Sequence, residues 1–235
     1  MNRLPEPELM DDPAQAQAYA HADFSEPHQR FITLFSEEFP TLDLRGRVLD
    51  LGCGSADVTV RFARAFPHCQ IAAVDGAESM LTHAQALIAQ AGLQTRIQLV
   101  RQRLPASQLT PHRYDAIISN SLLHHLHDPG VLWETIKASA RNGAAIFVLD
   151  LMRPARVDDA QALVLKYAQN EPDILKRDFF NSLRAAFSVD EICSQLLAAR
   201  LEYLHVRAVS DRHVLISGIF QTDKHQGSSD PTPAR

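Results

Sequence analysis

The amino-acid sequence predicts an α/β fold: a seven-stranded, mostly parallel, doubly wound sheet with an antiparallel last strand, N-terminal helices and a helical insertion after strand five. Three observations carry this. From Arg47 onward, short apolar runs ending in Gly, Asp or Asn alternate with helix-length amphipathic stretches, the pattern of successive strand–helix–strand units. The last two apolar runs, 203–209 and 213–220, are separated only by Ser210-Asp211-Arg212, so they must pair as an antiparallel hairpin. And 235 residues, 46% hydrophobic and 22% charged, suit one large α/β domain that buries roughly 70–75% of its unfolded surface.

In chain order, residues 1–12 carry Pro5, Pro7 and no apolar periodicity and are expected to be disordered. Residues 14–22 and 26–38 read as helices, the second after Ser25, with Phe31, Leu34, Phe35 and Phe39 on one face. Val48-Leu49-Asp50-Leu51 is a buried strand entering Gly52-Cys53-Gly54, followed by a helix over 58–66. Strand 71–74 ends at Asp75 and leads to helix 78–91. Strand 97–100 follows, then strand 114–119 ending at Asn120. A helix over 131–140 passes through Asn142-Gly143 into strand 144–149, which ends at Asp150. Helices over 157–169 and 172–187 form an inserted lid (155–187), and a helix over 189–199 precedes the hairpin. The single domain is expected to span 13–220, with a polar, disordered tail over 221–235.

The formal net charge is −5 and no basic block stands out, so the electrostatic footprint of a dedicated nucleic-acid binder is missing. The three cysteines, Cys53, Cys69 and Cys193, have no CxxC spacing and read as free thiols in a reducing, cytoplasmic compartment. The first residues lack the apolar core of a secretory signal, and no apolar run approaches the ~20 residues needed to span a bilayer.

Ligands of open α/β sheets bind beyond the carboxyl ends of the strands, where strand order reverses. Gly52 and Gly54 let backbone approach a ligand there. Asp75, 21 residues after Gly54, is spaced to accept hydrogen bonds from both hydroxyls of a ribose. A dinucleotide fits less well: Asp57 stands where a third glycine would fall, and Asp50 would repel a pyrophosphate. A ligand bearing a sulfonium and an ammonium favours a nearby carboxylate.

Val48-Leu49-Asp50-Leu51-Gly52-Cys53-Gly54 resembles the first motif of the class I methyltransferases that use S-adenosylmethionine (SAM). Ala73 through Leu81 resembles their second motif, and Tyr114 through Leu126 resembles the segment around strand four. The resemblance runs from about Val48 to Asp150 with the landmarks in order. It implies SAM as cofactor, with Gly52 and Gly54 against its methionine part, Asp75 on the ribose, Met80 near the adenine and Asn120 in the pocket wall. Many members carry an acid after strand three. Here that segment is Arg101-Gln102-Arg103, so Gln102 or backbone takes the adenine contact.

Methyl transfer from a sulfonium is mainly a matter of alignment, so few residue types are obligatory. In some small-molecule methyltransferases the histidine matching His124 works with a tyrosine from an N-terminal helix, the place of Tyr19 here. A metal site among His124, His125 and His127 is not expected, because no carboxylate or cysteine lies at ligand spacing in the sequence. Acceptor contacts are expected from the insertion and its approach, at Arg153, Arg177 and Asn181. The acceptor is expected to be a small molecule. Three alternatives stay open: tRNA, approached through Arg101, Arg103, Lys176, Arg177 and Arg184; a carboxy-SAM synthase-like activity, suggested by Lys176-Arg177 followed by Ser188-Val189-Asp190-Glu191; and a non-catalytic SAM-binding partner protein.

Overall fold

The structure, a computed structural model, describes residues 1–105, 109 and 111–222. Most of the expected tail therefore lies outside the described residues.

Two N-terminal helices, α1 (Pro13–His21) and α2 (Ser25–Glu38), precede the sheet. Asp12 caps α1 by accepting the Gln15 backbone N–H at 2.9 Å. Ser25 is the first helical residue rather than the cap, and its N–H donates to Asp23 Oδ1. The alternating core then follows as β1 (Arg47–Leu51), α3 (Asp57–Ala65), β2 (Gln70–Asp75), α4 (Glu78–Gln90), β3 (Ile97–Arg101), β4 (Tyr114–Asn120), α5 (Gly130–Ser139) and β5 (Ala140–Leu151). A 3-10 turn, Leu123–His125, stands between β4 and α5. The insertion is α6 (Val157–Ala168) and α7 (Asp173–Ala185). Then come α8 (Val189–Ala198), β6 (His205–Ala208) and β7 (His213–Ile219).

The sheet order is β3-β2-β1-β4-β5-β7-β6, with β7 antiparallel to both neighbours and the other six strands parallel. Order therefore reverses between β1 and β4. β5 is longer than expected: Ala140 pairs with Tyr114, but register shifts before Ala145 meets Ala116, and Gly143 adopts φ +84° in between. The Asn142-Gly143 turn signal thus marks an irregularity within the strand rather than its start.

Each face of the sheet has its own core. On one face, α2, α3 and α4 bury an aromatic nest in which Phe31 meets Phe147 edge-on at 4.9 Å and Phe35 meets Phe62 at 4.9 Å. On the other, Trp133 and Ile136 of α5 and Ile192 and Leu196 of α8 cover Ile146, Val148 and Ile216, and the Trp133 indole donates to Gln195 at 3.0 Å. The insertion packs its own small core of Leu163, Leu183 and Ala186 against Leu151. Cys53 and Cys69 are buried and Cys193 is exposed on α8. Burial pushes the Cys53 and Cys69 thiols up in pKa. Among the described residues no helix is long and apolar enough to cross a membrane.

Residues 1–12 make hydrogen bonds to distant parts of the fold. They lack regular secondary structure, yet they run as a strap tied to the insertion and to the turn after β4. The Met1 ammonium donates to the Ala155 carbonyl and the Leu4 N–H to the Arg184 carbonyl. The Arg3 guanidinium donates to the carbonyls of Ala185, His124 and Leu126 at 2.6–3.0 Å and lies 3.9 Å over the Phe187 ring. Polar bonds to distant partners, invisible to a local pattern, replace the apolar face that the segment lacks.

Candidate active site

A cavity of about 700 Å³ opens at the carboxyl ends of the strands, at the β1–β4 reversal. The loop after β1 forms its floor. Gly52 (φ +74°) and Gly54 (φ +52°) both take left-handed backbone, which costs other residues about 1–2 kcal/mol. A Cβ on Gly52 would stand 2.8 Å from the Leu122 side chain. The N–H groups of Gly52 and Cys53 both donate to the Val74 carbonyl, which locks this loop onto β2.

Parallel pairing of β1 and β2 sets Asp50 beside Ala73 and brings Asp75 up to the loop. Asp75 Oδ2 accepts the Gly54 N–H and Oδ1 accepts the Ala77 N–H, each at 2.8 Å. Each oxygen keeps acceptor capacity for a ligand hydroxyl. Burial raises the Asp75 pKa, against the lowering effect of those backbone bonds. Asp50 is fully buried and accepts from Thr59 Oγ at 2.6 Å. Burial pushes its pKa up to about 7; the Thr59 bond opposes this and the Asp75 charge adds to it. Asp57 stands in the first turn of α3 and is clamped by His28 at 2.6 Å and Arg61 at 2.7 Å. Despite burial these two partners hold its carboxyl below the usual range. The floor thus presents carboxylates where a dinucleotide site presents an anion-binding helix N-terminus.

Met80, Gln102 and Asn120 also line this cavity. Met80 is buried, and its terminal methyl would lie 3.1 Å from a Cβ on Gly54. The Gln102 N–H donates to the Asp75 carbonyl at 2.9 Å.

His124 and Tyr19 face the same cavity, though no hydrogen bond joins them among the described residues. Burial, with Asp57 and Asp150 adding, pushes the Tyr19 phenol up to about 12, so Tyr19 stays protonated. The His124 ring is held by Asp150 at the end of β5, its Nδ1 lying 2.5 Å from Oδ1, while Oδ2 accepts the Leu123 N–H. Burial disfavours the His124 cation, but Asp150 and Glu6 outweigh it and raise its pKa. Sequence reasoning missed this Asp150 role, although a carboxylate ending β5 as Asp75 ends β2 was the available signal.

It also missed Glu6. The strap delivers this side chain to the histidines, with Oε1 3.6 Å from His124 Nε2 and 3.4 Å from His125 Nδ1. His127, grouped with them in the sequence, is exposed and bonds back to the strap at the Glu6 carbonyl. The carboxylate absent from the neighbouring sequence is brought in by the strap: Glu6, His124 and His125 carry donor atoms all within 4.8 Å of one another.

The three acceptor candidates fall outside the cavity lining. Arg153 is a brace, bonded to Glu191 at 2.6 Å and to the Ala186 carbonyl at 3.0 Å. Arg177 is exposed beside Asp178, and Asn181 lies on the same helix, α7. Leu175, Asp178, Phe179 and Ser182 are the α7 residues that reach the cavity, so the inward face lies one residue round the helix from the expected Arg177 and Asn181.

Residues 48–144 match a family model described as a methyltransferase domain. Over that segment the chain resembles the SAM-dependent methyltransferases, and it shares the class I methyltransferase fold. It is 28% identical over 107 residues to the ubiquinone biosynthesis O-methyltransferase of Aeromonas salmonicida (strain A449), covering 46% of this chain and 44% of that protein. The match thus spans less than half the length of that relative. Among solved structures, the fold resembles a SAM-dependent methyltransferase from Aquifex aeolicus, with TM-score 0.65, 17% identity, and 88% and 98% of the two chains covered. It also resembles the plantazolicin methyltransferase BpumL in complex with a triazolic desmethylPZN analog and SAH, with TM-score 0.69, 14% identity, and 90% and 92% covered. At these identities the structural likeness speaks for the methyltransferase fold.

Proposed function

We propose that this chain is a methyltransferase that uses SAM to methylate a small-molecule acceptor. The observation that supports this best is the Asp75 carboxylate, pinned by the Gly54 and Ala77 amides at the reversal point of the sheet. There it can accept both ribose hydroxyls while Gly52 and Gly54 leave room for the methionine part. Asp50 and Asp57 supply negative charge where SAM carries its positive charges.

The acceptor side of the cavity is enclosed by the strap, α1 and α7, with Gln15 of α1 donating to Asp178 of α7 at 2.9 Å. Such closure favours a small acceptor over a folded nucleic acid. Four of the five basic residues considered for tRNA are also engaged locally: Arg101 with Glu78, Lys176 with Asp173, Arg177 with Asp178, and Arg184 over Phe180. The carboxy-SAM synthase-like alternative loses its arginine, because Arg177 does not reach the cavity. On the acceptor side, Asp150 orients the His124 ring so that Nε2 is turned toward Glu6 and the cavity.

Calorimetric titration with SAM and its demethylated product, repeated on Asp75→Ala, tests this reading. Loss of the ribose bonds should cost about 1.5–3 kcal/mol, roughly 10- to 150-fold in affinity. Labelled SAM and a metabolite extract should then yield a labelled product. If neither ligand binds while a nicotinamide nucleotide does, the proposal fails; SAM binding without turnover on any acceptor pool would favour the non-catalytic partner.

A further inference from the structure

We propose that Glu6, His124 and His125 form a site for a divalent transition-metal ion with an open coordination position on the cavity. Three independent features support it.

The first is spacing. Glu6 Oε1 lies 3.6 Å from His124 Nε2 and 3.4 Å from His125 Nδ1. Ligands bonded at about 2.0–2.2 Å in a tetrahedral arrangement stand roughly 3.3–3.6 Å apart. The third pair, between stacked rings whose centroids are 4.2 Å apart, is within 4.8 Å.

The second is an unsatisfied lone pair. His125 Nδ1 is the one buried side-chain nitrogen or oxygen without a hydrogen-bond partner among the described residues. It lies 3.4 Å from Glu6 Oε1 without the geometry of a hydrogen bond. Desolvating a polar atom without a partner is unfavourable, and an ion removes that penalty.

The third is support from behind. His124 passes its Nδ1 to the buried Asp150 carboxylate at 2.5 Å, the carboxylate–histidine arrangement that orients metal-binding imidazoles and raises their basicity. Ser182 donates to Glu6 Oε1 at 2.9 Å and fixes that side chain. Two imidazoles and one carboxylate suit Zn²⁺, Co²⁺ or Fe²⁺ better than Mg²⁺ or Ca²⁺. Three protein ligands also leave a position free, as in sites where a metal meets a substrate.

The role of the ion rests on the methyl-transfer reading. An acceptor oxygen on the open position would be acidified. Its proton leaves to solvent, and the oxygen–methyl bond forms as the carbon–sulfur bond breaks, releasing the thioether. In that case His124 Nε2 acts as a ligand and not as the base.

The test uses the full chain, stripped with chelator and titrated with Co²⁺ in the absence of SAM. One equivalent should bind, with the intense visible absorption of a four-coordinate ion, and Zn²⁺ should displace it. Glu6→Gln and His125→Ala should each weaken binding at least 10-fold, and Asp150→Asn about 10- to 100-fold. Glu6→Gln keeps the side-chain shape on a segment outside the core, so a loss there with an unchanged melting curve cannot come from misfolding. Absence of stoichiometric binding, or binding equally tight in Glu6→Gln and His125→Ala, overturns the site. SAM titration of the same protein separates the two readings. Co²⁺ uptake without SAM binding keeps the site and removes the role, and SAM binding without Co²⁺ uptake removes the site alone.

Discussion

Asp50 is the residue whose charge the fold holds closest to balance. It is buried, faces Asp75, adjoins Cys53, and has Thr59 as its hydrogen-bond donor. With its pKa near 7 in the folded chain against about 4 when unfolded, its ionisation costs stability progressively as pH rises from ~4 to ~7. A ligand that brings positive charge reverses that preference. SAM affinity should therefore rise as pH climbs from ~5 to ~7, by up to tenfold per unit, and flatten above. Calorimetry across that range checks this, and the rise should vanish in Asp50→Asn. Thr59→Val, which removes the bond stabilising the ionised form, should move the plateau to higher pH. Asp50, Gly52, Gly54 and Asp75 were legible in the sequence because strand ends and glycines announce them within a few residues. Glu6 was not, since it meets histidines more than a hundred positions away and no spacing rule connects them.

At the scale of elements, the insertion is braced rather than poised for ligand through Arg153. That side chain links β5 to the Ala186 carbonyl and to Glu191, which also closes the Ser188 capping box at the start of α8. Arg153→Met should lower stability by about 1–3 kcal/mol, or roughly 2–12 °C in melting temperature for a chain of this size, and leave SAM affinity unchanged. A normal melting curve with a raised KM for the acceptor would instead return Arg153 to the substrate. The helices of the insertion were legible from their periodicity. Their rotation was not: nine of the thirteen α7 positions are polar or aromatic, and the choice of Asp178 over Arg177 for the interior follows from contact with α1.

For the whole molecule, the sheet order and the single antiparallel strand followed from alternation and from one tight hairpin, and both are present. The irregular start of β5 escaped because Asn142-Gly143 reads as a turn wherever it occurs. A cofactor that binds only the folded chain stabilises it by RT ln(1 + [L]/Kd), about 2.7 kcal/mol at 100 times Kd. The melting temperature should then rise by roughly 5–11 °C with SAM, and much less in Asp75→Ala; equal shifts in both would separate the stabilisation from this site. The distribution of sulfur has a practical consequence. Cys53 is buried in the cavity floor and Cys69 in the core, both with thiols pushed up by burial, while the third stands exposed on α8, away from the cavity lining. A maleimide dye thus finds one address on the native protein without any engineered substitution, giving a fluorescence reporter that leaves the cavity untouched.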